Sequence, residues 1–329
     1  MIDIPVIDLA PSGAGRDLTT VGAAIDRACR EVGFFSVVGH DIDPTLCARL
    51  DALAREFFAR PVEAKSAVAM INGGTAWRGW FPLHGELTSG TPDHKEGYYF
   101  GRELPATDRR VQAGTPLHGP NLFPTVPAAL RATVLEYLDA LEALGQRLTA
   151  AISVALGLAP DALGHRWFRD PVILLRLFRY PPAGPADPPA GVGEHTDYGF
   201  LTLLWQDGSG GLEVRTDDGW IDVPPDPDAF VCNIGDMLDR LTGGRYRSTP
   251  HRVRSPTDGD RISIPFFFDP DWDAHVDALP LPGDPMPAPP TARWDAASVH
   301  DFSGSYGEYL LGKVAKVFPA LREAVISDE

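Results

Sequence analysis

Beyond Pro171 the chain breaks into short runs of β-forming residues separated by Gly, Pro and Asp, and this punctuation constrains the fold more than anything else in the sequence. The runs cover 172–180, 200–205, 211–215, 219–223, 229–234, 252–254 and 262–268. Each is of strand length, and many short strands with turn signals between them predict a sandwich or a barrel. Asp217, Asp218 and Gly219 between two runs are a strong hairpin signal.

The first half reads differently. A short strand over 4–9 precedes a helix over 19–30 with Val21, Ala24, Ile25 and Ala28 at helical spacing. A strand over 33–38 follows, and Pro44 opens a helix carrying Leu46, Leu50, Leu53, Phe57 and Phe58. The longest helical pattern, 128–156, places Leu130, Val134, Leu138, Leu141, Leu144, Leu148 and Ile152 on one face and stops at Gly157 and Pro160. The Gly-, Trp- and charge-rich stretch 73–105 predicts a folded loop region with short strands, including 97–100, of the kind that borders active sites. A Pro- and Asp-rich irregular stretch spans 271–291, and a last helix covers about 305–317 with Tyr309, Leu310, Val314 and Val317. No linker interrupts this order. We expect one domain over 1–329, mainly β with flanking helices: an N-terminal mixed helical portion (1–165), a β core carrying the site (170–270) and a C-terminal helix (300–325).

The polar pattern within the β runs points to a metal. His195, Thr196 and Asp197 form a His-x-Asp pair in a stretch, 193–200, that reads as a strand, where positions i and i+2 share a face. Two ligands leave a cation under-coordinated, and His251 supplies a third. Two imidazoles and one carboxylate with open positions opposite is the arrangement of non-haem ferrous oxygenases. Ten positions beyond His251 come Arg261 and Ser263, again two apart, a guanidinium fork and a hydroxyl suited to a carboxylate. Runs 252–254 and 261–268 make a plausible hairpin, in which Val253 facing Arg261 and His251 facing Ser263 would turn all four inward; a slip of one residue would split them between faces.

Other polar residues receive lesser roles. Glu194 alternates to the far face, Asp236 and Asp239 cap turns or pair with arginines, and His40, His84 and His94 are structural, the last two lacking a partner at ligand spacing. Arg78, Trp80, Phe81, Tyr98, Arg176 and Phe266 are candidate substrate contacts, suggesting a small, partly apolar molecule that carries a carboxylate. The plainer reading of the first three is that the aromatics seal the core and Arg78 pairs with a carboxylate such as Glu86.

Charge narrows the partners. A formal net charge of -16 and a pI near 4.9 argue against nucleic-acid and anionic-membrane surfaces, which need a basic footprint. Cys29, Cys47 and Cys232 are odd in number and widely spaced, so neither a disulfide framework nor a zinc ribbon is expected. With no signal pattern and no membrane-length apolar run, a reducing cytoplasm fits best. Oligomeric state is not legible.

Taken in order, these pieces resemble the isopenicillin N synthase and plant-type branch of the iron- and 2-oxoglutarate-dependent oxygenases. The likeness runs through Ile4, Pro5, Val6, Ile7, Asp8 and Leu9; Gly33, Phe34, Phe35, Val37, Val38 and His40; Tyr180, Pro181 and Pro182; His195, Thr196 and Asp197; Asn233, Ile234, Gly235 and Asp236 to Tyr246; His251, Arg252 and Val253; and Arg261, Ile262 and Ser263. The resemblance implies a double-stranded β-helix, or jelly roll, in which His195, Asp197 and His251 bind Fe(II). It further implies that Arg261 and Ser263 hold the distal carboxylate of 2-oxoglutarate, with a hydroxyl contact from Tyr180. The implied reaction uses O2 to oxidise a small molecule, most simply by hydroxylation, with release of succinate and CO2. One departure stands out: plant-type members commonly carry Asn two positions before that tyrosine, and this chain has Phe178. Three other readings use the same residues: an oxidative cyclase or desaturase of the same fold that does without 2-oxoglutarate, a non-catalytic jelly roll that binds a small molecule, and a zinc hydrolase, which would leave Arg261 and Ser263 unexplained.

Overall fold

The computed structural model describes residues 4–10, 17–184, 187, 190–281 and 298–320. Its elements run β1 (Val6–Asp8), α1 (Leu18–Glu31), β2 (Phe34–Val38), α2 (Pro44–Phe58), α3 (Val62–Ser66), β3 (Gly79–Phe81), β4 (Glu96–Gly101) and α4 (Arg109–Gln112). The long α5 (Leu130–Ala155) and α6 (Ala162–Trp167) lead into β5 (Pro171–Tyr180), β6 (Ala190–His195), β7 (Leu201–Gln206), β8 (Leu212–Thr216), β9 (Gly219–Asp222) and β10 (Phe230–Ile234). Then come α7 (Asp236–Leu241), β11 (His251–Arg254), β12 (Arg261–Asp271) and α8 (Tyr306–Val317). Part of the expected irregular stretch 271–291, and the end of the expected C-terminal helix, lie outside the described residues.

The strands make the two sheets of a jelly roll. The larger has eight strands in the order β1-β2-β10-β7-β12-β5-β4-β3, the smaller four in the order β6-β11-β8-β9. Strands from the N-terminal half thus extend both edges of the large sheet, which is why the first half reads as a mixture of helix and strand. The β8–β9 hairpin turns at Asp217 and Asp218 with Thr216 opposite Gly219, as the dipeptide chemistry predicts.

One face of the large sheet is covered by helix. The α5 stripe of Leu138, Leu141, Leu144 and Leu148 is buried in the main core with residues of α1 and α2. A side chain at Gly145 would run into the Phe268 ring, so this glycine sets how closely α5 approaches β12. The other face lines a cavity. Because strand side chains alternate, Arg261, Ser263, Pro265, Phe267 and Asp269 of β12 face that cavity, while Ile262, Ile264, Phe266 and Phe268 sit in the core.

Two local expectations fail. β6 ends at His195, so Asp197 lies in the connection to β7 and does not share a strand face with the histidine. β11 and β12 also form no hairpin: β11 pairs with β6 and β8 in the small sheet, and β12 with β5 and β7 in the large one. The polar turn between them carries the chain from one sheet to the other. The four residues face one cavity as expected, but they reach it from opposite sheets of the sandwich and not from one hairpin.

Candidate active site

His195 and His251 are brought side by side by strand pairing, being Cα partners across β6 and β11 with ring centroids 4.2 Å apart. The Nδ1 of His195 lies 2.9 Å from the Gly193 carbonyl, and that of His251 3.2 Å from the Thr249 carbonyl. A carbonyl only accepts, so each Nδ1 carries the proton and each Nε2 keeps its lone pair. Both lone pairs face one oxygen: Asp197 Oδ1 is 3.9 Å from His195 Nε2 and 3.8 Å from His251 Nε2. The three ligand atoms all lie within 4.8 Å of one another, a spacing that a single cation can close.

The other carboxylate oxygen fixes the orientation. Asp197 Oδ2 accepts from Thr202 Oγ1 at 2.5 Å and from Asn233 Nδ2 at 2.6 Å, so adjacent strands of the large sheet aim a residue that sits in a loop. Burial raises the Asp197 carboxyl, but the two imidazoles and these hydrogen bonds outweigh it and hold the group below its ordinary value. For His195, burial and then the neighbouring His251 push the imidazole well down, which keeps it neutral as metal ligation requires. Gly199 lets the loop close, because any side chain there would strike the Asp269 carboxylate, whose Oδ1 accepts from the Phe200 amide at 3.0 Å.

Arg261 stands opposite Tyr180 across β12 and β5, its guanidinium carbon 4.9 Å from the ring centroid. Nε donates to the Gly210 carbonyl at 2.5 Å and Nη2 to Gln206 Oε1 at 3.0 Å, which fixes the plane. Nη1 is buried with no partner among the described residues. Ser263 and Tyr180 line the same cavity beside it. A buried donor with nothing to donate to is costly, and an anion between the guanidinium and these hydroxyls would satisfy it. At Phe178 the ring faces the cavity and the Lys95 ammonium lies 4.4 Å from its centroid.

Of the six candidate substrate contacts, Arg176 lines this cavity and the other five do not. Arg78 is a buried clamp on a loop. It donates to the carbonyls of Arg102 at 2.7 Å, Leu117 at 3.1 Å and Gly119, not to Glu86, and burial lowers its guanidinium to about 9. Trp80 donates to Glu96 at 2.8 Å, and Phe81 packs edge-on against Tyr99 and Phe318. Tyr98 and Phe266 miss by one position, since strand alternation puts their neighbours Tyr99, Pro265 and Phe267 on the cavity side.

Residues the sequence did not single out complete the cavity, which leaves about 130 Å³ to the centres of water molecules. Glu86, Lys95 and Tyr99 come from the loop region and β4, and α8 covers one side with Tyr306, Leu310, Val314 and Val317. The α8 stripe was visible as an amphipathic pattern, but nothing local said what it covers. Glu194 pairs outward with Arg215 at 2.8 Å, as expected. Asp236 accepts from the Tyr309 hydroxyl, and Asp239 accepts from the Ser248 backbone amide and meets His300 at 2.9 Å. His84 and His94 do meet, with Nε2 and Nδ1 3.2 Å apart.

Residues 4–126 match the family model described as non-haem dioxygenase in morphine synthesis N-terminal, and residues 170–270 match the 2OG-Fe(II) oxygenase superfamily. A probable iron/ascorbate oxidoreductase of Dictyostelium discoideum is 42% identical, the alignment covering 98% of this chain and 97% of that protein. A homoarginine-6-hydroxylase of Arabidopsis thaliana is 33% identical over 97% of this chain and 90% of its own. The crystal structure of a full-length Neurospora crassa protein in complex with alpha-KG superposes with a TM-score of 0.75 at 27% identity, covering 95% of this chain and 96% of that one.

Proposed function

Because the chain belongs to the 2-oxoglutarate- and iron(II)-dependent oxygenase superfamily, we propose that His195, Asp197 and His251 hold its iron and that Arg261, Ser263 and Tyr180 hold the distal carboxylate of 2-oxoglutarate. The protein is a dioxygenase of a small-molecule substrate, using Fe(II), 2-oxoglutarate and O2. We take hydroxylation as the reaction, with 2-oxoglutarate, O2 and a C–H bond giving succinate, CO2 and an alcohol.

The observation that carries the residue assignment is the convergence of two Nε2 lone pairs, each fixed by its own Nδ1 hydrogen bond, on one oxygen of an anchored carboxylate. Iron bound there supplies oxygen activation coupled to decarboxylation of the 2-oxo acid. The chain's own part is placement. Arg261 Nη1 with the Ser263 and Tyr180 hydroxyls fixes the co-substrate at one end, Thr202 and Asn233 keep Asp197 deprotonated and aimed, and the apolar face of α8 excludes water.

No helix among the described residues is long and apolar enough to cross a membrane. We place the enzyme in the reducing cytoplasm, where three buried free thiols and ferrous iron are compatible. The test is an anaerobic titration of the purified protein with Fe(II) and then 2-oxoglutarate, followed by admission of oxygen. We expect a 2-oxoglutarate-dependent absorbance change and succinate release. Iron binding with no response to 2-oxoglutarate would favour an oxidative cyclase on the same scaffold.

A further inference from the structure

Resting on that reading of the iron and 2-oxoglutarate sites, we propose that Arg176 is the anchor for the substrate and that the substrate class is a small monocarboxylic acid with an apolar body. Arg176 faces the cavity from β5, four residues before Tyr180, and so stands roughly 13 Å along the strand from the co-substrate end. It is directly opposite Tyr99 on β4, and its guanidinium carbon lies 3.4 Å from the Tyr99 ring centroid. Phe267 lies 5.5 Å away. Stacking on Tyr99 occupies one face of the guanidinium and leaves its in-plane N–H groups for a ligand.

The stack is held from behind. The Tyr99 hydroxyl donates to Glu86, and Glu86 is paired with Lys95 at 2.9 Å, which also holds Asp93 at 2.9 Å. Tyr99 and Glu86 are therefore positioning residues, and the Glu86 and Asp93 charges are engaged by Lys95. Asp269, the carboxylate of the neighbouring β12 wall, accepts from the Tyr306 hydroxyl at 2.6 Å and the Phe200 amide at 3.0 Å. Among the described residues no carboxylate lies within ion-pairing distance of Arg176. By contrast Arg179, on the opposite face of the same strand, has both Glu96 and Asp260 at 2.7 Å.

An arginine more than nine-tenths buried, with no carboxylate in ion-pairing distance among the described residues, is costly unless a ligand brings one. A carboxylate matches the free edge with two parallel charge-assisted bonds, which a neutral amide cannot do. Leu174, Phe267, Leu310 and Val314 of the same cavity give the rest of the ligand an apolar wall, and the nearby Asp269 is already engaged by Tyr306 and the Phe200 amide.

The experiment uses the anaerobic Fe(II)·2-oxoglutarate protein and three matched pairs: phenylacetate, 3-phenylpropionate and cyclohexylacetate, each against its primary amide, with binding read by equilibrium dialysis. We expect at least one acid to bind tenfold or more tighter than its amide. The ratio should fall to near one in Arg176→Gln, recover in part in Arg176→Lys, and drop severalfold in Tyr99→Phe, which keeps the charge but frees the stack from Glu86. Acids and amides binding alike, no acid binding, or a folded Arg176→Gln protein that keeps the ratio would each overturn the proposal. The co-substrate reading is judged separately in the same samples, by whether 2-oxoglutarate binds the wild-type iron protein. The acid-to-amide ratio and its response to Arg176→Gln decide the anchor in either case.

Discussion

At the scale of single residues, the site depends on groups that meet no substrate. Thr202 and Asn233 hold Asp197 Oδ2 and leave Oδ1 to face the two imidazoles. Asn233→Ala should therefore weaken iron binding by about 10- to 100-fold with the protein still folded, as removal of a ligand's hydrogen-bond partner does at other metal centres. Competition with a chelator of known affinity measures it, and unchanged affinity would show that the loop alone orients Asp197. His251→Ala removes a ligand outright and should abolish tight ferrous binding in the same assay while the circular dichroism spectrum is retained. If Arg261 holds the distal carboxylate as proposed, Arg261→Ala leaves that group without its charged partner, an effect of roughly 3–5 kcal/mol for a buried pair. The 2-oxoglutarate concentration for half-saturation should rise by two orders of magnitude or more.

At the scale of elements, the contact between β12 and α8 carries a titratable group. Burial pushes the Asp269 carboxyl up to about 7 against the ordinary 3.8, despite donors from Tyr306 and the Phe200 amide. Because the folded value lies above the unfolded one, the protonated form stabilises the fold. That contribution is complete below about pH 4 and is lost as pH rises through about 7. Asp269→Asn removes the ionisation, so the variant should gain on the wild type by up to about 1.4 kcal/mol per pH unit across this window. Urea unfolding of the metal-free proteins at pH 4, 5.5, 7 and 8 reads the trend, and a difference flat with pH would mean that Asp269 titrates normally. Elements also show why site residues were missed. Phe266 and Tyr98 belong to the right strands but the wrong face, and face follows from register, which distant strands impose.

At the scale of the whole molecule, the site closes only when both sheets and α8 are assembled, since the ligand histidines lie in the small sheet and Arg261, Thr202 and Asn233 in the large one. Ligands that bind this assembled state should stabilise it by mass action, about 2.7 kcal/mol at a hundredfold excess over Kd. Fe(II) and 2-oxoglutarate should each raise Tm in turn. In Arg261→Ala the iron increment should persist while the 2-oxoglutarate increment disappears. Loss of both would place Arg261 in the scaffold and not at the co-substrate.

Sequence alone determined the strand-rich C-terminal half, the long α5 stripe, the hairpin at Asp217 and Asp218, and the chemical types at His195, Asp197, His251, Arg261 and Ser263. Each of these is a local signal, a periodicity, a turn chemistry or a short spacing, carried by residues close in the chain. It also reached the jelly roll through the order of its motifs. Only the tertiary structure decided that β11 and β12 belong to opposite sheets, that Asp197 is aimed by Thr202 and Asn233 from a loop, and that Tyr99 and Arg176 stack on the wall of a cavity that Arg78, Trp80 and Phe81 do not line. Those facts depend on which strands pair and in what register, and pairing is fixed by burial summed over both sheets and their helices, a quantity that no short stretch of the chain contains.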